Sequence, residues 1–401
     1  MLVVHKYGGT SVADLTRIEN VANRVAKARD AGDDIIVVVS AMSGETNKLM
    51  DYATHFSANP AKKEMDMLLS SGERVTAALL SIALQSKGLD AVAMTGRQAG
   101  IVTDNAHTYA RIESIDPRAM QTEIAKGKIV VVAGFQGINK DGSVTTLGRG
   151  GSDLSAVALA GALHADKCEI YSDVDGIYTT DPRIEPKAKK LDTISYDEML
   201  ELSSLGAKVL QNRSVELAKK LNVKLYAKSS FSDNEGTLIT QESNRMEEVL
   251  VSGIVLDKNQ ARVTLRGVAD RPGIAAEIFT MLAEAHINVD MIIQNMSEKG
   301  STNLGFTVPQ SEHENAKKLM ATFDHDIAGM DFDEHVCKVS VVGVGMKSHA
   351  GVAATAFTVL AQNDINIQMI STSEIKVSMV IDEKYGELAI RTLHSAYELD
   401  K

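Results

Sequence analysis

The chain has 401 residues, with 42 Lys and Arg against 53 Asp and Glu, a formal charge of −11, and 44% hydrophobic and 24% charged residues. That composition belongs to a folded protein of two or three domains and not to a disordered chain, and the acidic balance disfavours nucleic acid as a partner. Cys168 and Cys337 lie far apart and form no Cys-x-x-Cys pair, which sets aside a disulfide framework or zinc site and leaves two buried thiols. Apolar stretches such as Ile129 to Ala133 fall short of the roughly 18 residues of a membrane helix, and the N-terminus has no signal-peptide layout. A cytoplasmic protein with no membrane partner is expected.

In chain order, Val3 to Tyr7 reads as a strand, Asp14 to Ala31 as a helix, Ile35 to Ser40 as a strand and Ala61 to Lys87 as a helix. Ala91 to Thr95 follows as a strand, Arg118 to Lys126 as a helix, Ile129 to Gly134 as a strand, Asp153 to His164 as a helix and Cys168 to Asp173 as a strand. The strands are near-continuous β-branched runs, as expected when both faces are buried, and the helices carry apolar residues at helical spacing. Alternation of this kind predicts a mostly parallel sheet covered by helices on both faces. Ligands of such sheets bind beyond the carboxyl ends of the strands.

Three segments at those ends carry candidate chemistry. Lys6-Tyr-Gly-Gly-Thr-Ser11 follows the first strand; its glycines let backbone N–H groups approach phosphate and its lysine meets the charge, although a Gly-Gly turn also serves plain geometry. Gly148-Arg-Gly-Gly-Ser-Asp153 opens a helix, and three glycines around an arginine exceed what N-capping by Ser or Asp requires. Ser172-Asp-Val-Asp-Gly-Ile-Tyr-Thr-Thr-Asp-Pro-Arg183 follows the last strand; tight turns at Asp-Gly and Asp-Pro account for part of it, but not for the crowding of Asp173, Tyr178, Asp181 and Arg183. His5 adjoins Lys6, and because neighbouring strand residues face opposite sides it reads as structural.

The polar stretch Thr240 to Glu248 marks a boundary, and an internal repeat follows it. Gly273 to Ile292 aligns with Gly351 to Ile370 at a constant offset of 78, with 11 identities in 20 positions. Each copy reads as strand, Gly-bearing turn, helix, strand, strand, helix. A final strand is expected only in the first copy, near Gly329 to Asp333, because the second ends on its helix at Tyr385 to Tyr397. The strand-like run Val249 to Leu256 is therefore predicted to complete the second copy's sheet and interleave the two.

With Ser40-Ala-Met-Ser-Gly-Glu-Thr-Asn47, Ser71-Gly-Glu-Arg74 and Gly206-Ala-Lys-Val-Leu210 added to the three segments above, the ordered motifs resemble those of aspartokinases, and the repeats resemble ACT domains. The resemblance covers essentially the whole chain. It implies an amino-acid-kinase (carbamate-kinase-like) three-layer αβα sandwich over 1–240, a linker at 241–248, a first ACT region at 249–336 and a second ACT domain at 337–401, each ferredoxin-like (βαββαβ). It further implies phosphorylation of the L-aspartate side-chain carboxylate by Mg-ATP, giving 4-phospho-L-aspartate at the first step of lysine, threonine and methionine biosynthesis.

Residue by residue, the resemblance places Lys6, Tyr7, Gly8, Gly9, Ser172, Asp173, Tyr178, Asp181, Arg183 and Lys208 on ATP. It places Ser40, Thr46, Glu73, Arg149, Gly150, Gly151 and Ser152 on aspartate, with Glu73 facing the ammonium and Arg149 a carboxylate. Lys6 and Lys208 would meet the phosphoryl group and Asp153 would orient the lysine. Mg²⁺ would arrive on ATP, with no protein metal site. Effector positions fall on Asp270, Gly273, Ile274, Ala275 and Gln294 in the first copy, and on Val352, Ala353, Asn366, Ile367, Ser373 and Glu374 in the second. Lysine, threonine or both are the implied inhibitors. Ala350 and Ala353 depart from the proline and threonine common in relatives. A homo-oligomer through the ACT domains is implied, and Met246 allows an internal start yielding a separate regulatory subunit. An acetylglutamate, glutamate or uridylate kinase, and an amino-acid sensor with a dead kinase domain, are the rival readings.

Overall fold

The computed structural model describes residues 1–204, 209–241, 250–296, 300–323, 327–344, 346 and 351–401. Two compact units result, one built from 1–177, 190–204 and 208–245, the other from 178–189, 205–207 and 246–401.

In the first unit an eight-stranded sheet runs in the order Thr193–Ser195, Thr237–Thr240, Leu225–Ser229, Lys167–Ser172, Leu2–Tyr7, Asp34–Val39, Ile129–Ala133, Ala91–Met94. Its pairings are parallel except that of Leu225–Ser229 with Thr237–Thr240. Helices Leu15–Asp30 and Ser71–Ser86 cover one face through Ile18, Val21, Val25, Leu80 and Leu84, which pack on Tyr7, Ile35, Val37 and Val131. On the opposite face lies Gly151–Ala162, a helix apolar nearly all round and buried from Gly151 to Ala160, as a helix enclosed by neighbours must be. The αβα layering and the mostly parallel sheet are those the alternating pattern called for. A small sheet of Ile112–Ile115, Ile101–Thr103, Gln136–Ile138 and Val144–Thr146 adds to the edge; strands of three or four residues carry too little periodicity to be read from sequence.

The single helix expected over 61–87 is two, Lys62–Leu69 and Ser71–Ser86. Ser70 explains the break: its carbonyl accepts from Gln136 Nε2 at 2.9 Å, its hydroxyl donates to the Met67 carbonyl, and Ser71 Oγ donates to the Leu68 carbonyl, so side chains compete for the helical ladder. Taken together, Lys62–Ser86 is long and apolar enough to cross a membrane by length and composition, yet half of its most apolar stretch is buried in the protein and serves as core.

In the second unit, six strands form one sheet in the order Ile292–Met296, Ser301–Val308, Leu250–Ala269, Gly329–Val344, Lys376–Asp382, Ile367–Thr372. The long strands are shared between the copies. Leu250 to Asp257 pairs with Lys338 to Val344, and Arg262 to Arg266 pairs with Gly329 to Asp333. Helices Ile274–Glu284 and Gly351–Gln362 occupy corresponding places, each over its own apolar cluster.

Candidate active site

Four parallel strands of the first unit end side by side at Tyr7, Val39, Ala133 and Ser172. Lys6 is only 8% exposed and its Nζ lies 2.6 Å from Asp153 Oδ1, a close ion pair without hydrogen-bond alignment. Asp153 occupies the first turn of Gly151–Ala162, so lysine and the positive end of the helix converge where an anion would sit. Gly8 donates its N–H to the Tyr171 carbonyl at 3.1 Å, and a Cβ there would stand 3.3 Å from Lys6 Nζ. His5 and Tyr7 face the other way: His5 Nε2 is 3.1 Å from Glu169 Oε2, and Tyr7 stacks on Tyr171. Burial favours protonation of Glu169, but bonding from His5 and Lys167, with Lys228 close by, holds its carboxyl well below the usual range.

Glu73 begins the helix after the break and is 4% exposed. Its Oε1 accepts the Ala41 N–H at 3.0 Å, while Oε2 is buried with no partner among the described residues. Burial pushes its pKa up to about 7, against the lowering effect of the Ala41 bond. Gly72 permits this approach, since a Cβ there would meet Ala41 Cβ at 2.8 Å. Ser40 and Thr46, both half-buried, lie on the segment continuing from that strand, which enters helix Glu45–Phe56 through Gly44. On the neighbouring strand end, Gly134 stands where a Cβ would be 3.0 Å from Ser152 Oγ. Arg149 is exposed, and among the described residues none pairs with it. Gly150 adopts φ +70° at the helix start.

Ser172 Oγ accepts from the Val174 N–H in a local turn, and Asp173 is exposed. Ser230, which sequence reasoning missed, donates both N–H and Oγ to the Ser172 carbonyl at 2.9 Å and bonds Ser11 Oγ at 2.8 Å. The signal was the Ser229-Ser230 pair closing the strand Leu225–Ser229. Tyr178, Asp181 and Arg183 belong with the second unit, where Asp181 and Arg183 form a bidentate pair. Within that unit the segment is held by the Ile254 N–H on the Thr179 carbonyl and by Thr179 Oγ1 at 3.0 Å from His394 Nε2. Lys208, Ala350 and Met246 lie outside the described residues. Burial pushes the Cys168 and Cys337 thiols up, the latter to about 12.

Of the effector positions, Ile274 and Val352 are core residues of their copies, so those side chains are closed to a ligand and only their backbone could serve one. Asp270, Gln294, Asn366, Ser373 and Glu374 are exposed, with Ala275, Ala353 and Ile367 half-buried. Gly273 caps its helix at φ +97°, where a side chain would be strained. A groove of about 580 Å³ lined by Phe279, His286, Asn288, Val289 and Ile292 lies in the first copy, and Asn288 is the repeat partner of Asn366.

Residues 1–228 match the model of the amino acid kinase family, and residues 263–322 and 339–397 match that of the ACT domain. By class, then, the chain is an amino acid kinase joined to paired ACT domains. It is 58% identical to the aspartokinase of Helicobacter pylori over 405 aligned positions and the full length of both, and 53% identical to the aspartate kinase of Stutzerimonas stutzeri over 100% of this chain and 98% of that one. Among solved structures, E. coli aspartokinase III in complex with aspartate and ADP is 27% identical, with a TM-score of 0.80 over 99% of each chain. The same enzyme in complex with lysine and aspartate gives 26% and 0.77 over 98% of this chain and 99% of that one. The chain belongs to the aspartokinases, and so to the ATP-dependent phosphotransferases.

Proposed function

We propose that the chain transfers the γ-phosphoryl group of Mg-ATP to the side-chain carboxylate of L-aspartate, giving 4-phospho-L-aspartate and ADP. The observation that carries this reading is Glu73: a buried carboxylate with one oxygen that has no partner among the described residues, beside the strand end whose neighbour leads to Arg149, which likewise pairs with none of them. A buried acceptor and an exposed cation suit the ammonium and a carboxylate of one amino acid. Ser40, Thr46, Gly150, Gly151 and Ser152 complete the aspartate set.

The attacking carboxylate has an ordinary pKa of about 4 and is already ionised at neutral pH, so no general base is required. The difficulty is to bring two anions together. Lys6, held by Asp153, and Lys208 neutralise phosphoryl oxygens, Gly8 and Gly9 admit the phosphates to the backbone, and the metal enters as part of the nucleotide substrate. Tyr7, Ser172, Asp173, Tyr178, Asp181 and Arg183 hold the nucleotide, and Ser230 fixes the Ser172 turn. Lysine, threonine or both bind the exposed polar positions of the ACT copies and inhibit by favouring one global state. The chain acts in the cytoplasm as a homo-oligomer through its ACT domains, and an internal start at Met246 would supply a separate regulatory subunit.

Trapping the acyl phosphate with hydroxylamine, in Mg-ATP and aspartate with and without lysine and threonine, tests the reading. Aspartate-dependent product that falls with an effector is expected. Acyl phosphate formed only with acetylglutamate or glutamate, or ADP released only with uridylate, would replace aspartate as acceptor, and folded protein without turnover on any acceptor would leave only a sensor.

A further inference from the structure

The loop that carries Arg149 is gripped from two sides by charged side chains that no role above employs. Asp66, on Lys62–Leu69, is 0% exposed. A buried carboxylate left without partners is costly, and both oxygens of Asp66 have them. Oδ1 and Oδ2 accept the Thr108 N–H at 2.9 and 3.2 Å, Oδ1 accepts the Thr146 hydroxyl, and Oδ2 lies 2.6 Å from His107 Nδ1. Thr146 ends a strand two residues before Gly148.

From the other side, Arg213 of helix Asn212–Leu221 donates to the Leu147 carbonyl at 2.6 Å and to the Ala110 carbonyl at 2.9 Å, with its guanidinium 4.6 Å from the Tyr109 ring centroid. The Ala110 N–H donates to the Thr146 carbonyl, closing the pair of segments on each other. Between the grips, glycine is obligatory: a Cβ on Gly148 would come within 2.5 Å of Tyr109 and one on Gly150 within 2.4 Å of Gln211.

Backbone strain collects at the same place. Thr108 and Phe135, neither of them glycine, adopt φ +71° and +69°, a region that β-branched and bulky residues avoid. Thr108 is the residue whose N–H Asp66 accepts, and Phe135 accepts the Leu147 N–H at 2.9 Å. Strain of this kind lasts only where surrounding bonds over-determine it, and it gathers at functional sites. Stability alone does not call for such a device, since apolar residues of equal volume would pack as well as buried charges. What charged groups aimed at main-chain atoms add is a fixed loop geometry.

We propose that Asp66 and Arg213 are positioning residues for aspartate, acting through the 147–151 loop to set the direction of Arg149. The inference rests on the reading that Arg149 meets a substrate carboxylate. Binding of ATP, at other strand ends, does not depend on it.

The test is steady-state kinetics of the full chain with Asp66→Asn, Arg213→Lys, Thr146→Val and Arg149→Ala, with circular dichroism to establish folding. Arg213→Lys keeps the charge while losing the guanidinium fork, and Thr146→Val keeps the shape while losing the hydroxyl that bonds Asp66, so both remain informative if Asp66→Asn does not fold. On the order of a tenfold rise in aspartate KM is expected for the folded positioning variants, with ATP KM within about twofold, because small misplacements of a binding group are costly. A parallel rise of both KM values, or no rise in either, would overturn the proposal and leave the grips merely structural. If Arg149→Ala raises aspartate KM while the other three do not, the positioning role alone fails. An unchanged aspartate KM in Arg149→Ala removes the carboxylate assignment and the positioning role with it.

Discussion

The strand-end site of the first unit and the ACT copies of the second differ in how their functional positions are held. Lys6, Glu73 and Asp153 are buried and paired with main chain or with each other, and Ser152 is buried, whereas Asp270, Gln294, Asn366 and Ser373 stand exposed. A site for a reacting phosphoryl group has to be preorganised, because its work is electrostatic and geometric. A site that only shifts an equilibrium needs no more than differential affinity between two states. Buried, over-determined positions accept few residues, and exposed ones accept many.

Lys6→Ala strikes hardest at the first kind of site. Removing one preorganised charge is expected to lower kcat by about 10²–10³-fold, with circular dichroism unchanged and the response to effectors lost only because turnover is. Near-normal kcat in the variant would mean that the phosphates bind elsewhere.

Glu73 comes next. With its pKa raised to about 7, the ammonium-binding carboxylate form is depleted as pH falls, so aspartate KM is expected to rise below about pH 7 and to lose that dependence in Glu73→Gln. The variant's aspartate KM should itself increase roughly a hundredfold, as loss of one partner of a buried pair costs about 3 kcal/mol. Stability carries the opposite sign. A carboxyl whose pKa is higher folded than unfolded stabilises the fold most at low pH and loses that contribution as pH rises through the folded value. Glu73→Gln should therefore raise the thermal midpoint of ligand-free protein at pH 8 and not at pH 5, and added aspartate should narrow the gap. A wild-type KM that is flat from pH 5.5 to 8 would remove Glu73 from the ammonium site.

Much of this was legible in the sequence for the reason the comparison gives. The strands, the flanking helices and the glycine-rich turns are fixed by period and by backbone approach, so Gly8, Gly72 and Gly150 stand out inside short motifs, although the groups a Cβ would meet at Gly72 and Gly150, Ala41 and Gln211, come from distant segments. The break at Ser70 was not legible, because it depends on Gln136 arriving from 66 residues away. Nor were Asp66, Arg213 and Ser230, which bond main-chain atoms of distant segments and belong to no local pattern. Asp181 and Arg183 were legible as a crowded loop, but nothing local indicated that the segment would belong with the second unit and pair within itself.

The smallest effect lies where side chains are least constrained. Ala353, in the first turn of Gly351–Gln362, and Ala275, in the first turn of Ile274–Glu284, occupy the same place in the two copies. Each is half-buried, so a hydroxyl can be added without opening the core. Ala353→Thr is expected to leave kcat and both KM values within about twofold while shifting the lysine or threonine concentration for half-inhibition by roughly fivefold, the scale of a modest coupling energy. Ala275→Thr is the mirror experiment. If only one substitution moves the inhibition curve, the copies divide the work, and the responsive copy holds the effector. If both move it equally, the interleaved sheet presents two equivalent seams. Should neither alter inhibition by either amino acid, these helix starts do not touch the effector, and recognition must come from Gln294 within strand Ile292–Met296 and from Asn366 before strand Ile367–Thr372.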